Sequence, residues 1–314
     1  MTSITRGIYY LKHNRAQFCD SIVKNFFSWL PDKLYLSLRY RFQMGHWINW
    51  KNPTTFTEKL QWLKIYDYKP EYTKMVDKLA VKDYVASKIG KEYIIPTLAV
   101  WDKVEEIDWD LLPCQFVLKT THGGGGCGVV VCADKSKLDK EKAIKKLTES
   151  MRTNAGESYR EKPYLNVPRK NIAEKYMTEH KTNFSIVDSD LSDYKFFCFN
   201  GEPHYCQVIR DRHSEETIDF YDMKWKHMPF VGLNPVARNG QVPVARPEHL
   251  EKMQKICRIL SNNIPFVRVD FYIIDNREFF GELTFYPASG IGDFTPKEWN
   301  NRLGDLLILP NTIG

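Results

Sequence analysis

Nowhere does the chain hold an apolar run near the ~18 residues that a membrane-spanning helix requires. Its first 30 residues are interrupted by basic and polar side chains every few positions, so they lack the continuous apolar segment of a signal peptide. The expectation is a soluble, cytoplasmic protein. Cysteine is present but poorly arranged for chemistry: Cys19, Cys114, Cys127, Cys132, Cys198, Cys206 and Cys257 are odd in number and form no Cys-x-x-Cys pair. Their scatter through apolar runs argues against a disulfide framework or a zinc site and for reduced, buried thiols. Glycine and proline, 17 and 16 of 314 residues, are too sparse for a low-complexity or collagen-like chain. No clustered run of Lys and Arg interleaved with stacking aromatics lies on a recognised nucleic-acid module.

What remains is the composition of a globular enzyme, 43% hydrophobic and 27% charged, with a formal net charge of +6. That mild excess permits an anionic partner, whether nucleotide, sugar nucleotide, acidic polysaccharide or membrane surface, and diagnoses none of them. Residues 7–43 are both aromatic and basic, with Tyr9, Tyr10, Phe18, Phe26, Phe27, Trp29, Tyr35 and Tyr40 among Lys12, Arg15, Lys24, Lys33, Arg39 and Arg41. Two readings of this amphipathic helix pair stay open. One is a surface for anionic lipid or a glycan; the other is a helical lobe that packs its aromatics on the rest of the protein.

Further along, "NPTTFTEKLQWLKIYD" offers Thr54 or Thr55 as a helix cap ahead of Phe56, Leu60, Leu63 and Tyr66 at helical spacing. "YTKMVDKLAVKDYVASKIG" reads as a second helix stopped at Gly90. "YIIPTLAVWD" is a strand broken by Pro96, and "SKLDKEKAIKKLTESMRT" a charged helix with Leu138, Ile144 and Leu147 inward. Alternating strands follow in "NIAEKYM", "NFSIVDSD", "DYKFFCFNGEPHYCQVIRD", "FVRVDFYIID" and "EFFGELTFY", with the helix "PEHLEKMQKICRILSNN" between them. Asn200-Gly201 is a hairpin signal. The fold class is α+β, antiparallel sheets with helices on one face.

The sharpest local feature is "FVLKTTHGGGGCGVVVCAD", four glycines between two strands. Gly123, Gly125 and Gly128 satisfy G-x-G-x-x-G, but a dinucleotide fingerprint needs its last glycine to open a helix, and Gly128 leads into Val129–Cys132, a strand. No Lys-Ser/Thr follows the G-x-x-x-x-G spacing, which excludes a P-loop. A strand–glycine loop–strand hairpin remains, whose backbone N–H groups can fold over phosphate oxygens as the glycine loop of protein kinases does. The other kinase parts are missing, since there is no H-R-D-x-x-x-x-N, no D-F-G, and Lys119 precedes the loop.

A second constellation lies in "FVRVDFYIIDNREFFGELTFYPASG". Asp270 and Glu282 are placed to face each other across a hairpin turning at Asp275-Asn276, and Arg268 shares the face of Asp270 by the strand period. Two carboxylates set in strongly apolar strands suit a hard divalent cation such as Mg²⁺. An adjacent guanidinium would stabilise charge on a transferring phosphoryl group or an oxyanion.

Six ordered stretches, "NPTTFTEKLQWLKIYD", "DKLAVKDYV", "FVLKTTHGGGG", "DYKFFCFNG", "PFVRVDFY" and "FGELTFYPASG", resemble the TupA-like ATP-grasp family, associated with teichuronopeptide, capsule and other surface-polysaccharide synthesis. The resemblance spans about Asn52 to Leu309. It implies an ATP-grasp fold, two α+β subdomains clamping ATP, here divided as an N-terminal helical extension (1–50), a pre-ATP-grasp helical region (51–113), a first subdomain with the glycine lid (114–177) and a second with the metal hairpin (178–314). It implies that Lys82 and Lys119 bind the ATP phosphates and that Gly123, Gly124, Gly125 and Gly126 cover them. Glu174 with the backbone of Lys175, Tyr176 and Met177 would hold adenine, and Lys195 would point into the cleft. Asp270 and Glu282 would ligate Mg²⁺, with Thr284 where these enzymes commonly carry Asn in Glu-x-Asn, and Arg268 would steady the transferring phosphate. His122 is a candidate either for acid/base chemistry or for capping the loop. The implied reaction is ATP-dependent carboxylate–amine ligation through an acyl phosphate, joining an amine to a uronic-acid or other sugar-linked carboxylate. Arg210, Arg212, Arg246 and Arg258 are candidates to receive that acceptor, with plain solvated surface the favoured reading for the last two. A glycan or small-molecule kinase, and a glycosyltransferase using Asp188-Ser189-Asp190, are the alternatives. The protein is then expected in the cytoplasm, at the inner face of the membrane if its N-terminal helices touch lipid.

Overall fold

The computed structural model describes residues 15–124, 126–178, 191–210, 216–233 and 238–311. The expected strand "NFSIVDSD" with Asp188 and Asp190, and the candidates Gly125 and Arg212, lie outside them.

Two antiparallel sheets organise the chain. The smaller has the order β1 (Thr97–Trp101), β4 (Asn171–Lys175), β2 (Phe116–Thr120), β3 (Val129–Cys132). Along β2 the side chains alternate: Phe116 and Leu118 join Val130, Cys132 and Ala173 in a core. Helix Lys140–Arg152 covers that core with Ala143 and Leu147. Val117 and Lys119 therefore face the opposite way. Ile144, expected inward, is exposed, because the stripe that meets β2 runs through Ala143 and Leu147.

The larger sheet has the order β11 (Arg277–Thr284), β10 (Phe266–Ile274), β5 (Asp193–Phe199), β6 (Glu202–Arg210), β7 (Thr217–Asp222), β8 (His227–Met228). Helices flank it on both faces rather than one. Phe196, Cys198, Cys206 and Val269 pack with Met253 and Cys257 of helix Leu250–Leu260. On the other face Phe197, Phe199 and Phe266 surround Phe56 of helix Phe56–Tyr66, with ring centroids 4.9 to 6.4 Å apart. This second face changes character along its length: the strand period carries Phe197 and Phe199 on to Lys195 and Asp193, and Phe266 on to Arg268 and Asp270. One end is an aromatic core and the other a charged cleft.

Helix Phe56–Tyr66 begins in a capping box in which Thr55, not Thr54, accepts from the Glu58 N–H. Tyr66 at its end is exposed. Ahead of it, helices Arg15–Phe26 and Asp32–Met44 form a hairpin with its own small core of Val23, Tyr35, Leu36, Tyr40 and Ile48. The buried ion pair Arg39–Asp20, at 2.6 and 2.8 Å, crosses that hairpin. Tyr35 and Tyr40 thus pack as a helical lobe would, whereas Phe26, Phe27, Trp29 and Trp47 stay exposed. All seven cysteines are free, as expected of thiols, but Cys114 and Cys127 are exposed rather than buried because both sit in turns at the ends of the β2–β3 hairpin.

Candidate active site

The carboxylate hairpin depends on an irregularity. A straight hairpin turning at Asp275-Asn276 pairs Ile274 with Arg277 and Phe271 with Phe280, and continued unbroken would set Glu282 opposite Val269, on the face away from Asp270. The register shifts between Phe271 and Val269, so that Gly281 and Glu282 together oppose Asp270 and the ladder resumes with Arg268 opposite Thr284. The bulge returns Glu282 and Thr284 to the face of Arg268 and Asp270. A Cβ on Gly281 would lie 3.1 Å from the Asp270 carbonyl oxygen, which suits the glycine to this position.

The resulting contacts are dense. Arg268 Nη2 donates to Asp270 Oδ2 at 2.7 Å, Glu282 Oε1 at 3.0 Å and Thr284 Oγ1 at 3.0 Å, while its Nε donates to Asp270 Oδ1 at 2.7 Å. Lys195, directly opposite Asp270 in the ladder, donates to Asp270 Oδ2 and lies 3.2 Å from Asp193 Oδ1. Burial pushes the Asp270 carboxyl up against the pull of Arg268 and Lys195. Burial would raise Glu282 as well, but Lys195, Arg268 and Lys78 outweigh it and bring that carboxyl down to about 2. Three side-chain oxygens converge on one guanidinium nitrogen. That donor set, two carboxylates and a hydroxyl, is the hard oxygen chemistry that fits Mg²⁺.

Across the cleft lies a second cluster. Glu174, buried on β4, pairs with Lys82 Nζ and Lys119 Nζ, both at 2.6 Å. Lys119 reaches it because Val117 stands opposite Glu174 and Lys119 is two residues along the same face. Lys82, from helix Ala80–Ile89, also donates to the Ile95 carbonyl at 2.9 Å and to Thr97 Oγ1 at 2.7 Å. Burial would raise Glu174, yet the two lysines hold it below its ordinary value. The carboxylate assigned to adenine is thus spent on the two lysines assigned to phosphate. Lys175 is exposed and Tyr176 and Met177 follow it past the strand end.

Lys78, which sequence reasoning passes over, joins the two clusters. Its backbone N–H donates to the Thr121 carbonyl at 3.1 Å and its Nζ to the Gly123 carbonyl, clamping the start of the glycine loop. Burial lowers its pKa, and it feels Glu282 on one side and Lys119 and Glu174 on the other. No local pattern singles it out: it stands four residues before Lys82 in "DKLAVKDYV", in the turn that leads into helix Ala80–Ile89. Tyr164 is a further addition, its phenol raised by burial and then by Glu161 and Glu282.

The glycines divide by cause. A Cβ on Gly123 would come within 2.6 Å of Thr120 Oγ1, and one on Gly128, at φ +70°, within 2.3 Å of Ser150 Oγ. These two are fixed by packing onto the Thr120–Ser150 hydrogen bond of 2.8 Å. Gly126 has φ +78°, whereas a Cβ on Gly124 would meet nothing within 4 Å and its φ lies outside the left-handed region. His122 is buried with Nε2 3.1 Å from the Ser150 carbonyl, and burial lowers its pKa. It braces the loop from behind.

Two surface cavities, about 500 Å³ beside Val131 and Asp139 and about 160 Å³ beside His46 and Asn300, are lined by residues of neither cluster. Nor are the three described acceptor arginines drawn in. Arg210 bonds buried Asp219 at 3.0 Å on the face opposite Lys195, Arg246 pairs with Glu251, and Arg258 pairs with Glu202 at 2.7 Å. Among the described residues no group of three or more His, Cys, Asp or Glu could hold a metal by itself. The oxygen set above counts two carboxylates and completes its third donor with Thr284.

A family model described as TupA-like ATPgrasp matches residues 58–308. The chain belongs to the TupA-like ATP-grasp family. The matched span begins at Glu58 in the capping box and takes in both charged clusters and the glycine hairpin. No curated protein matches the chain. Among solved structures, D-alanine–D-alanine ligase from Bacillus anthracis complexed with ATP shares 15% identity with TM-score 0.41 over 74% of this chain and 63% of that one. D-alanine–D-alanine ligase from Helicobacter pylori shares 13% with TM-score 0.39, over 75% and 61%. The ATP-grasp ligase PsnB, complexed with minimal precursor, Mg and ADP, shares 10% with TM-score 0.37, over 86% and 66%. The chain therefore spans less than two thirds of the length of these first two ligases.

Proposed function

We propose that this TupA-like ATP-grasp protein is an ATP-dependent carboxylate–amine ligase that works through an acyl phosphate in the cytoplasm, where ATP is supplied. The observation that carries the reading is Lys78, hydrogen-bonded to the glycine loop and within electrostatic reach of both Glu282 and Glu174, which links the two clusters. Lys78, Lys82 and Lys119 bind the phosphates of ATP, and Glu174 positions the last two. The backbone of Lys175–Met177, at the end of β4, would hold adenine. The β2–β3 hairpin closes as a lid over the phosphates, and Gly124, whose Cβ would meet no atom of the chain, is small because a nucleotide approaches it.

Asp270, Glu282 and Thr284 would hold Mg²⁺, which when bound supplies charge neutralisation between the phosphates. The substrate carboxylate oxygen attacks the γ-phosphorus and the bond to the β,γ-bridging oxygen breaks, releasing ADP. An amine nitrogen then attacks the acyl carbon, the tetrahedral intermediate expels inorganic phosphate, and the amine's proton passes to solvent. Arg268 and Lys195 face the negative charge that develops at each stage. A closed lid keeps water from the acyl phosphate. We assign the acceptor to a sugar-linked carboxylate of surface-polysaccharide synthesis and the nucleophile to an amino acid or amino alcohol. Residues 114–177 and 178–314 form the two clamping subdomains in this reading, with β1 from the 51–113 region completing the first sheet.

The test is product analysis with Mg²⁺-ATP, pooled uronic-acid acceptors and pooled amines. ADP and free phosphate should rise only with both substrates, and Asp270→Asn should lower the rate about 10³-fold. ADP without free phosphate, together with a phosphorylated acceptor that needs no amine, would make the protein a kinase.

A further inference from the structure

The N-terminal hairpin carries a feature that the ligation chemistry does not use. Between helices Arg15–Phe26 and Asp32–Met44 the turn exposes Phe26 at 71% and Trp29 at 74%, with Phe27 and Leu34 beside them. An unsupported aromatic loop would fold back on the protein to bury such rings. This one is held out by the catalytic body. Arg160 donates to the Ser28 and Leu30 carbonyls, pairs with Asp32 at 3.0 Å and stacks 4.2 Å from the Tyr35 ring. The turn is thus fixed at three points while its apolar side chains face outward.

Charge is concentrated in the same part of the sequence. Residues 1–50 contain seven Lys and Arg against two Asp, a formal +5, so the other 264 residues contribute +1 of the chain's +6. Both acids are already taken, Asp20 by Arg39 and Asp32 by Arg160. Lys24 and Lys33 flank the aromatic turn and are exposed.

We propose that the Phe26–Leu34 turn is a peripheral anchor for an anionic membrane surface, with Phe26, Trp29 and Leu34 entering the boundary between headgroups and acyl chains and Lys24 and Lys33 facing lipid phosphates. A bilayer offers apolar depth and negative charge together, and the turn presents complements to both. Pairing with a second copy would set Lys24 and Lys33 against their own counterparts. No helix among the described residues is long and apolar enough to cross a membrane, so the contact is one of surface attachment. The inference stands whether or not the ligase reading holds.

Vesicle co-sedimentation of the full chain tests it, comparing phosphatidylcholine vesicles with vesicles carrying 30 mol% (about one third) phosphatidylglycerol. Binding to the anionic vesicles should exceed that to neutral ones by about tenfold, fall with added salt, and blue-shift tryptophan emission. Phe26→Ser with Trp29→Ser should lose about tenfold in binding, as should Lys24→Gln with Lys33→Gln, without altering thermal stability, since all four side chains are exposed. Wild type that stays in the supernatant with both vesicle types would overturn the proposal. So would a wild-type dimer in light scattering that the Phe26/Trp29 variant abolishes while vesicles bind neither protein.

Discussion

Lys78, Glu174 and Glu282 set the electrostatic logic of the cleft, and the first two make predictions that can be read separately. Glu174 is buried between Lys82 and Lys119 with its pKa held below the ordinary 4.5. Its ionised state therefore stabilises the fold fully above pH 4.5, and that contribution is lost as pH falls through the depressed folded value. Glu174→Gln should lower stability at pH 7 by about 1–3 kcal/mol and flatten the dependence of melting temperature on pH below 4.5. A variant profile parallel to wild type in that range would contradict the pairing. Lys78→Met should reduce kcat/KM for ATP about 100-fold while Lys78→Arg retains most of it. Because burial lowers the Lys78 pKa, activity should decline on the alkaline side before an ordinary lysine titrates, and Lys78→Arg should move that limb to higher pH. Lys82 and Lys119 were nameable through the family resemblance of "DKLAVKDYV" and "FVLKTTHGGGG". Lys78 was not, since what distinguishes it is a bond to the loop carbonyl of Gly123, 45 positions away.

At the scale of elements, the glycine hairpin separates packing from function. Gly128→Ala must place a side chain at φ +70° against Ser150 and Thr120, and should cost about 2 kcal/mol or more in denaturant unfolding. Gly124→Ala meets open space. It should leave the melting temperature unchanged and raise KM for ATP by about tenfold, because the added methyl obstructs only a bound nucleotide. Equal stability losses in both variants would mean that Gly124 is structural. The hairpin, the Thr55 cap and the strands bearing Lys195 and Asp270 could be read from sequence because periodicity and turn residues fix them locally. The bulge at Gly281 could not, because it appears only when the ladder is counted from the Asp275-Asn276 turn. Ile144 likewise shows its exposure only once β2 has chosen which stripe of the Lys140–Arg152 helix to bury.

Across the whole molecule, one face of the larger sheet supplies an aromatic core at one end and the carboxylate pair at the other, and the smaller sheet with the helix ahead of it brings Lys119 and Lys82 towards that charged end. The composition of the strands announces both sheets. Their mutual approach rests on long-range contacts such as the parallel bridge between Ile94, just ahead of β1, and Phe280 on β11, which no window of sequence contains. The central claim is that substrate carboxylate is activated as an acyl phosphate, and isotope transfer reads that step directly. With an acceptor whose carboxylate carries ¹⁸O, the enzyme, Mg²⁺-ATP and an amine should release inorganic phosphate bearing one ¹⁸O per amide formed. Phosphate without ¹⁸O, released while amide accumulates, would contradict the account.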